Sequence, residues 1–126
     1  MTVVLDAGAF IAVEKGDRRI IALIKRERLA HRVPTTHGGV VGQVWRGGSG
    51  RQVGIARLLA GVEVVPLGEQ LGRRAGILLR SSKTHDVIDA ALVLLAREGD
   101  EIITSDPQDL LGLAATAGTP VELVPV

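Results

Sequence analysis

The sequence predicts an α/β fold in which a mostly parallel sheet is flanked by helices. Short β-branched runs alternate with longer segments of helical spacing, in the order β-α-α-β-α-α-β-α-α-β-α-β. The connections between runs are long enough to carry right-handed crossovers. Hydrophobic residues make up 46% of the chain but aromatic residues only 2%, so the core must be built from Val, Leu, Ile and Ala, which suits layered packing. At 126 residues, one domain spanning 1–126 is expected.

Thr2-Val3-Val4-Leu5 is the first strand, and Ala7 to Val13 changes to helical spacing. Gly16 ends that helix. Asp17 begins an amphipathic one, with Ile20, Ile21, Leu23, Ile24 and Leu29 set among Arg and Lys. Arg32 to Thr36 reads as a short second strand weakened by Pro34. A helix is expected over His37–Arg46 despite Gly38, Gly39 and Gly42, with Gly39 and Gly42 placed for close helix packing. Gly47 to Gly50 is the most flexible stretch. Arg51–Leu59 is helical and Val62–Leu67 a strand. Gly68–Ser81 is a helix with Leu71, Ala75, Ile77, Leu78 and Leu79 inward. The stretch from Lys83 to Ala96 is the next helix. Glu101–Thr104 is a strand, a helix runs to about Ala117, and Val121–Val124 closes the sheet.

Composition excludes several chemistries. There is no cysteine, hence no disulfide, thiolate zinc site or cysteine nucleophile, while oxygen-rich metal sites stay open. No apolar run reaches membrane-spanning length and no signal peptide is readable, so a cytoplasmic protein is expected. The net charge of +1 argues against a generic polyanion binder. Its distribution is uneven, with basic clusters through the first 74 residues and Asp86, Asp89, Asp106 and Asp109 in the second half.

Those acids carry the functional signal. Asp6 and Asp106 both stand where a strand hands over to a helix, and in a parallel sheet both project from the same edge. Asp86 and Asp89 are three apart, on one face at the start of a helix whose later positions are fit only for burial. Capping gives each an ordinary account: Asp6 as an N-cap, Asp86 with Asp89 at N3, and Asp106 before Pro107 with Asp109 at N3. The alternative is a set of converging carboxylates whose mutual repulsion is relieved by a hard divalent cation.

Leu5-Asp6-Ala7-Gly8-Ala9-Phe10, Gln43-Val44-Trp45-Arg46, His85-Asp86-Val87-Ile88-Asp89-Ala90 and Thr104-Ser105-Asp106-Pro107-Gln108-Asp109-Leu110 resemble, in order, the four signature segments of PIN-domain ribonucleases, in particular the VapC-type toxins of bacterial toxin–antitoxin pairs. The resemblance implies a PIN-like three-layer α/β/α domain with a central, mostly parallel sheet of about five strands. It implies a metal-dependent endoribonuclease in which a metal-bound water attacks an RNA phosphodiester. Asp6, Asp89 and Asp106 would hold Mg²⁺ or Mn²⁺, with Asp86 as an additional acid and a hydroxyl contributed by Thr104 or Ser105. The implied partners are an RNA substrate, a cognate antitoxin and a second copy of the chain as a homodimer, with no membrane.

Gln43 departs from the pattern, because family members usually carry glutamate there. Glutamine keeps the shape and a carbonyl oxygen but loses the charge and cannot act as a base. A catalytically inactive PIN-like module binding RNA or protein is therefore the rival reading. Arg46 and Arg51, beside the glycine-rich stretch, are candidates for flanking phosphates, and His85 is the histidine best placed to touch substrate. A haloacid-dehalogenase-like phosphatase using Asp6 as acceptor would need a second aspartate at position 8, which is glycine.

Overall fold

The computed structural model describes residues 1–48 and 50–126; Ser49, within the stretch expected to be flexible, lies outside the described residues. Five strands form one all-parallel sheet: β1 (Val3–Leu5), β2 (Thr35–His37), β3 (Glu63–Val65), β4 (Glu101–Thr104) and β5 (Glu122–Pro125), in the order β3-β2-β1-β4-β5. The helices are α1 (Ala7–Glu14), α2 (Arg18–Leu29), α3 (Gly38–Val44), α4 (Val53–Ala60), α5 (Glu69–Ser82), α6 (Val87–Leu95) and α7 (Pro107–Ala117). Element order follows the sequence expectation, and the sheet is wholly parallel.

The topology explains the layering. The chain moves outward from β1 to β2 and β3, then returns across the sheet to β4 and β5. Right-handed crossovers of opposite direction place their helices on opposite faces. Accordingly α1 packs with α2, α3 and α4, whereas α5, α6 and α7 pack with one another. β1 is the central strand, and Val3, Val4 and Leu5 are fully buried beside Phe10, Ile102 and Ile103. A parallel sheet covered on both faces requires such continuous apolar strands.

Several boundaries and facings differ from expectation. β2 starts after Pro34 and includes His37, since proline cannot donate to the ladder. α6 begins only at Val87; Lys83 ends α5 in a left-handed conformation, and the residues between form a turn. Ala90 to Val93 are buried as expected, but Val87 is 40% exposed at the helix mouth. Ile77, expected inward, is 68% exposed, because the buried stripe of α5 runs through Leu71, Ala75 and Leu78. Leu29, at the end of α2, is also exposed.

The edge of the sheet at the strand N-termini is tied by charge. Glu27 is fully buried and accepts from Arg32 Nε at 3.1 Å, Arg32 Nη2 at 2.8 Å and Arg26 Nε at 3.2 Å. Arg26 continues to Glu101 at 2.6 Å, locking α2 onto the start of β4. Asp100, also buried, accepts from the backbone N–H groups of Thr2 and Arg97, each at 2.8 Å. These acids are satisfied by arginine side chains or backbone N–H groups.

Candidate active site

β1 and β4 are neighbours at the point where the chain reverses its progress across the sheet, the place where open α/β sheets form a crevice beyond the strand C-termini. Asp6 follows β1 directly and Asp106 follows β4 by two residues. Asp6 is 4% exposed, and both of its oxygens are engaged. Oδ1 accepts from Ala7 N at 2.7 Å, and Oδ2 accepts from the Thr104 hydroxyl at 2.7 Å. The same hydroxyl oxygen accepts from Asp106 N at 2.9 Å. Thr104 thus fixes both junctions in one hydrogen-bond chain.

The capping accounts fare unequally. Asp6 does cap α1 and Asp86 does cap α6, accepting from Asp89 N at 3.0 Å. Asp106 occupies the N-cap position of α7, yet its carboxylate makes no cap bond and stays exposed. Asp89 lies half-buried in the first turn of α6. Burial, followed by the charges of Asp86, Asp6, Asp106 and Asp109, pushes its carboxyl from 3.8 up to about 7. The four expected acids therefore share one electrostatic field. Asp109 belongs to it as well, although its spacing in Asp106-Pro107-Gln108-Asp109 suggested only a helix start.

The neighbouring elements hold this field together through His37. Its ring is fully buried, with Nδ1 accepting from Gly39 N at 3.0 Å and Nε2 at 2.9 Å from the Ile88 carbonyl. A carbonyl only accepts, so Nε2 carries the proton and the ring is neutral. Burial holds its pKa below the ordinary value, only partly opposed by the Ile88 bond and the charge of Asp6. The bond joins the start of α3 to the first turn of α6, next to Asp89. Gly39 packs closely there: a Cβ would lie 2.4 Å from Ile88 Cδ1 and 2.9 Å from His37 Cε1, so those side chains would have to shift to admit one. The expectation of tight packing is met at Gly39 and fails at Gly42, where a Cβ would meet nothing within 4 Å. At Gly8 a Cβ would lie 2.8 Å from Ser105 N, so only glycine lets α1 approach the β4–α7 junction so closely.

The remaining sequence candidates are distributed as follows. Gln43, in the last turn of α3, is exposed. Thr104 is fully buried, so its hydroxyl positions Asp6 and does not face solvent. Ser105 is exposed beside Gly8. Arg46 is exposed but turns Nη1 onto the Gly42 and Trp45 carbonyls at 3.0 and 2.8 Å, closing α3. Arg51 is exposed in a short 3-10 turn, Gly50–Gln52. Its neighbour Gln52 is buried and accepts from Arg46 N at 2.7 Å and Gly47 N at 3.3 Å, a role the sequence did not disclose.

The acids suit a hard cation in donor type and in charge. Their oxygens match the preference of Mg²⁺ or Mn²⁺, and the raised Asp89 pKa reflects burial first and the neighbouring acids second. They are not drawn into a coordination sphere: among the described residues no three His, Asp or Glu side chains are grouped to hold a metal. Coulomb repulsion acts over longer distances than the roughly 2.1 Å of a Mg–O bond, so the two findings are compatible. Asp86 and Asp106 are exposed, whereas Asp6 is buried with both oxygens engaged.

No family model matches the chain, and no curated protein matches it in sequence. A chain in the crystal structure of VapBC2 from Rickettsia felis, bound to a DNA fragment from their promoter, shares its architecture. The TM-score is 0.72 over 98% of this chain and 99% of that one, at 10% sequence identity. The fold is PIN-like. At that identity the PIN-like likeness concerns architecture, and side-chain chemistry must be argued from this chain's own residues. Among the described residues no helix is long and apolar enough to cross a membrane.

Proposed function

We propose that this chain is a Mg²⁺- or Mn²⁺-dependent endoribonuclease of the VapC-toxin kind, with its acidic centre at the C-terminal ends of β1 and β4. The observation that carries this reading is the field around Asp89: five aspartates act together at the topological switch point of a PIN-like sheet, and burial with repulsion lifts Asp89 to about 7. A protein that needed only helix caps would have no reason to concentrate charge there.

Asp6, Asp89 and Asp106 would hold the cation, with Asp86 accessory. Bound there, the metal would supply a water of lowered pKa and neutralise charge on the scissile phosphate. The chain's own residues prepare that chemistry. Thr104 keeps Asp6 oriented by donating to it. Its acceptance of Asp106 N aims the start of α7 at the same crevice. His37 fixes α6, and with it Asp89, against the helix that carries Gln43.

The rival, a PIN-like module that binds without cutting, is favoured by Gln43, which brings no charge to the position where the family usually has glutamate. Incubation with single-stranded RNA and Mn²⁺ separates the two. Metal-dependent cleavage that is lost in Asp89→Asn supports the enzyme. If neither this chain nor Gln43→Glu cuts any RNA in the presence of metal, the ribonuclease reading is wrong.

Partners follow from the same reading: a cytoplasmic protein with a cognate antitoxin and a second copy of the chain. Support for an antitoxin comes from the VapBC2 neighbour, itself a complex. It also comes from a groove of about 280 Å³ between α2 and α4, with Ile24, Leu58 and Val33 on its walls and Arg28 and Arg32 at its rim. Co-expression with a co-transcribed small protein, then co-purification, tests that assignment.

A further inference from the structure

An acidic centre that acts on RNA repels its substrate, so cations must hold the strand on either side. Arg46 has turned part of its guanidinium onto its own helix end. The turn between α5 and α6, immediately before Asp86, offers a better-placed group. Arg80, Lys83 and His85 line a shallow depression there with Leu79 and Thr84. All three basic side chains are exposed, and among the described residues none makes an ion pair or a side-chain hydrogen bond. None of the acids lines this depression, and His85 directly precedes Asp86, so the basic group stands on the flank of the acidic crevice.

The turn is rigid. Thr84 N donates to the Leu79 carbonyl at 3.2 Å, and the Ser82 and Thr84 hydroxyls are 2.7 Å apart. Lys83 closes α5 at φ 58°, ψ 39°, a left-handed conformation that glycine adopts without cost and lysine does not. A lysine thus stands where the backbone favours glycine, and its flexible side chain extends from a hydrogen-bonded turn. We propose that this turn is a phosphate subsite for single-stranded RNA, in which Lys83, with Arg80 and His85, binds the phosphate next to the one presented to Asp86 and Asp89. The inference rests on the ribonuclease reading and adds to it where the strand runs.

The backbone of Lys83 makes the test clean. Lys83→Gly removes the charge and relieves the left-handed residue, so folding improves, with Tm rising by about 1–3 °C, while RNA binding weakens. Cleavage kinetics with single-stranded RNA and Mn²⁺, and fluorescence anisotropy with the same RNA, are measured for the unaltered chain, Lys83→Gly, Lys83→Arg and Arg80→Gln at several salt concentrations. Lys83→Gly and Arg80→Gln are expected to raise KM and Kd by about 5–10-fold, with the loss in KM and not kcat. The slope of log Kd against log salt should fall by about 0.7 for the one phosphate that is no longer neutralised, and Lys83→Arg should restore most of the affinity. If the unaltered chain cleaves RNA and Lys83→Gly and Arg80→Gln leave KM, Kd and salt slope unchanged, the subsite is overturned and the ribonuclease stands. Binding that Lys83→Gly weakens, without cleavage by either the unaltered chain or Gln43→Glu, supports the subsite and overturns the ribonuclease. If neither the unaltered chain nor Gln43→Glu binds or cuts RNA, both are overturned.

Discussion

Asp89→Asn should make this protein more stable as it destroys the proposed activity. A carboxyl lifted from 3.8 to about 7 by folding is ionised at neutral pH only against burial and four neighbouring acids. At 1.36 kcal/mol per pKa unit the full rise is worth about 4 kcal/mol. Asp86, Asp106 and Asp109 are exposed and screened by water and salt, so about half is a better expectation, or ~2 kcal/mol. Asparagine keeps the shape and removes the charge. For a chain of 126 residues, ~2 kcal/mol corresponds to a Tm increase of about 8 °C.

The direction with pH follows from linkage. Asp89 holds its proton more tightly when folded, so the charge penalty is absent below about pH 4, grows as pH rises from 3.8, and is complete above about 7. Thermal unfolding by circular dichroism in EDTA, at pH 5 and pH 7.5, should show the variant's advantage widening at the higher pH. Taking the difference between the two proteins cancels the opposite trend from His37, whose depressed pKa withdraws stability below about 6.5. Excess Mn²⁺ should reverse the order, because a ligand bound only by the folded, unaltered chain stabilises it by mass action. If Asp89→Asn melts at or below the unaltered chain at pH 7.5 in EDTA, or if its advantage does not grow between pH 5 and 7.5, the acids do not form the field described.

Glu27→Gln should cost about 1–3 kcal/mol, since a buried carboxylate held between Arg32 and Arg26 loses its charge-assisted bonds. The Arg32 hydrogen bonds, outweighing burial, which acts the other way, hold Glu27 below its usual pKa, so its stabilisation is present above about pH 4.5 and lost on further acidification, as acid titration of both proteins would reveal. Gly8→Ala should lower Tm and reduce cleavage together, because the added methyl meets Ser105 N and forces α1 from the site; the overpacking costs about 1–3 kcal/mol by denaturant titration. His37→Ala should cost a similar amount by leaving the Ile88 carbonyl without its donor, and slowed hydrogen exchange at the first turn of α6 should be lost with it. Gln43→Glu should tighten Mn²⁺ binding about tenfold or more by calorimetry, because it adds a charged oxygen ligand.

The sequence disclosed the fold through alternation of β-branched and helical runs, and every element it placed is present in the same order. Its errors lie where tertiary contacts decide. Pro34 delayed β2 until His37 joined the strand, and the facing of Ile77 depended on which ridge of α5 met α6 and α7. The placing of Asp6, Asp89 and Asp106 near one end of the sheet was legible because each follows a strand or opens a helix. Asp109 was not, because its spacing is fully explained by a helix start. Thr104 was expected to face substrate, and its burial became visible only when the pairing of β1 with β4 set its hydroxyl against Asp6. His37 left no signal, since its bond to Ile88 spans 51 positions in the chain.

The contrast between the two edges of the sheet gives the strongest argument that the acidic centre is functional. At the strand N-termini, Glu27, Glu101 and Asp100 are buried and each carboxylate has an arginine or backbone N–H donors. At the C-termini, Asp89 is half-buried among like charges. The same chain therefore compensates buried acids where they serve only the fold. Holding Asp89 among like charges costs on the order of 2 kcal/mol of a stability that for a domain this size is about 5–15 kcal/mol. Under the proposed function a divalent cation would relieve that penalty, since hard cations prefer the oxygen ligands these aspartates offer.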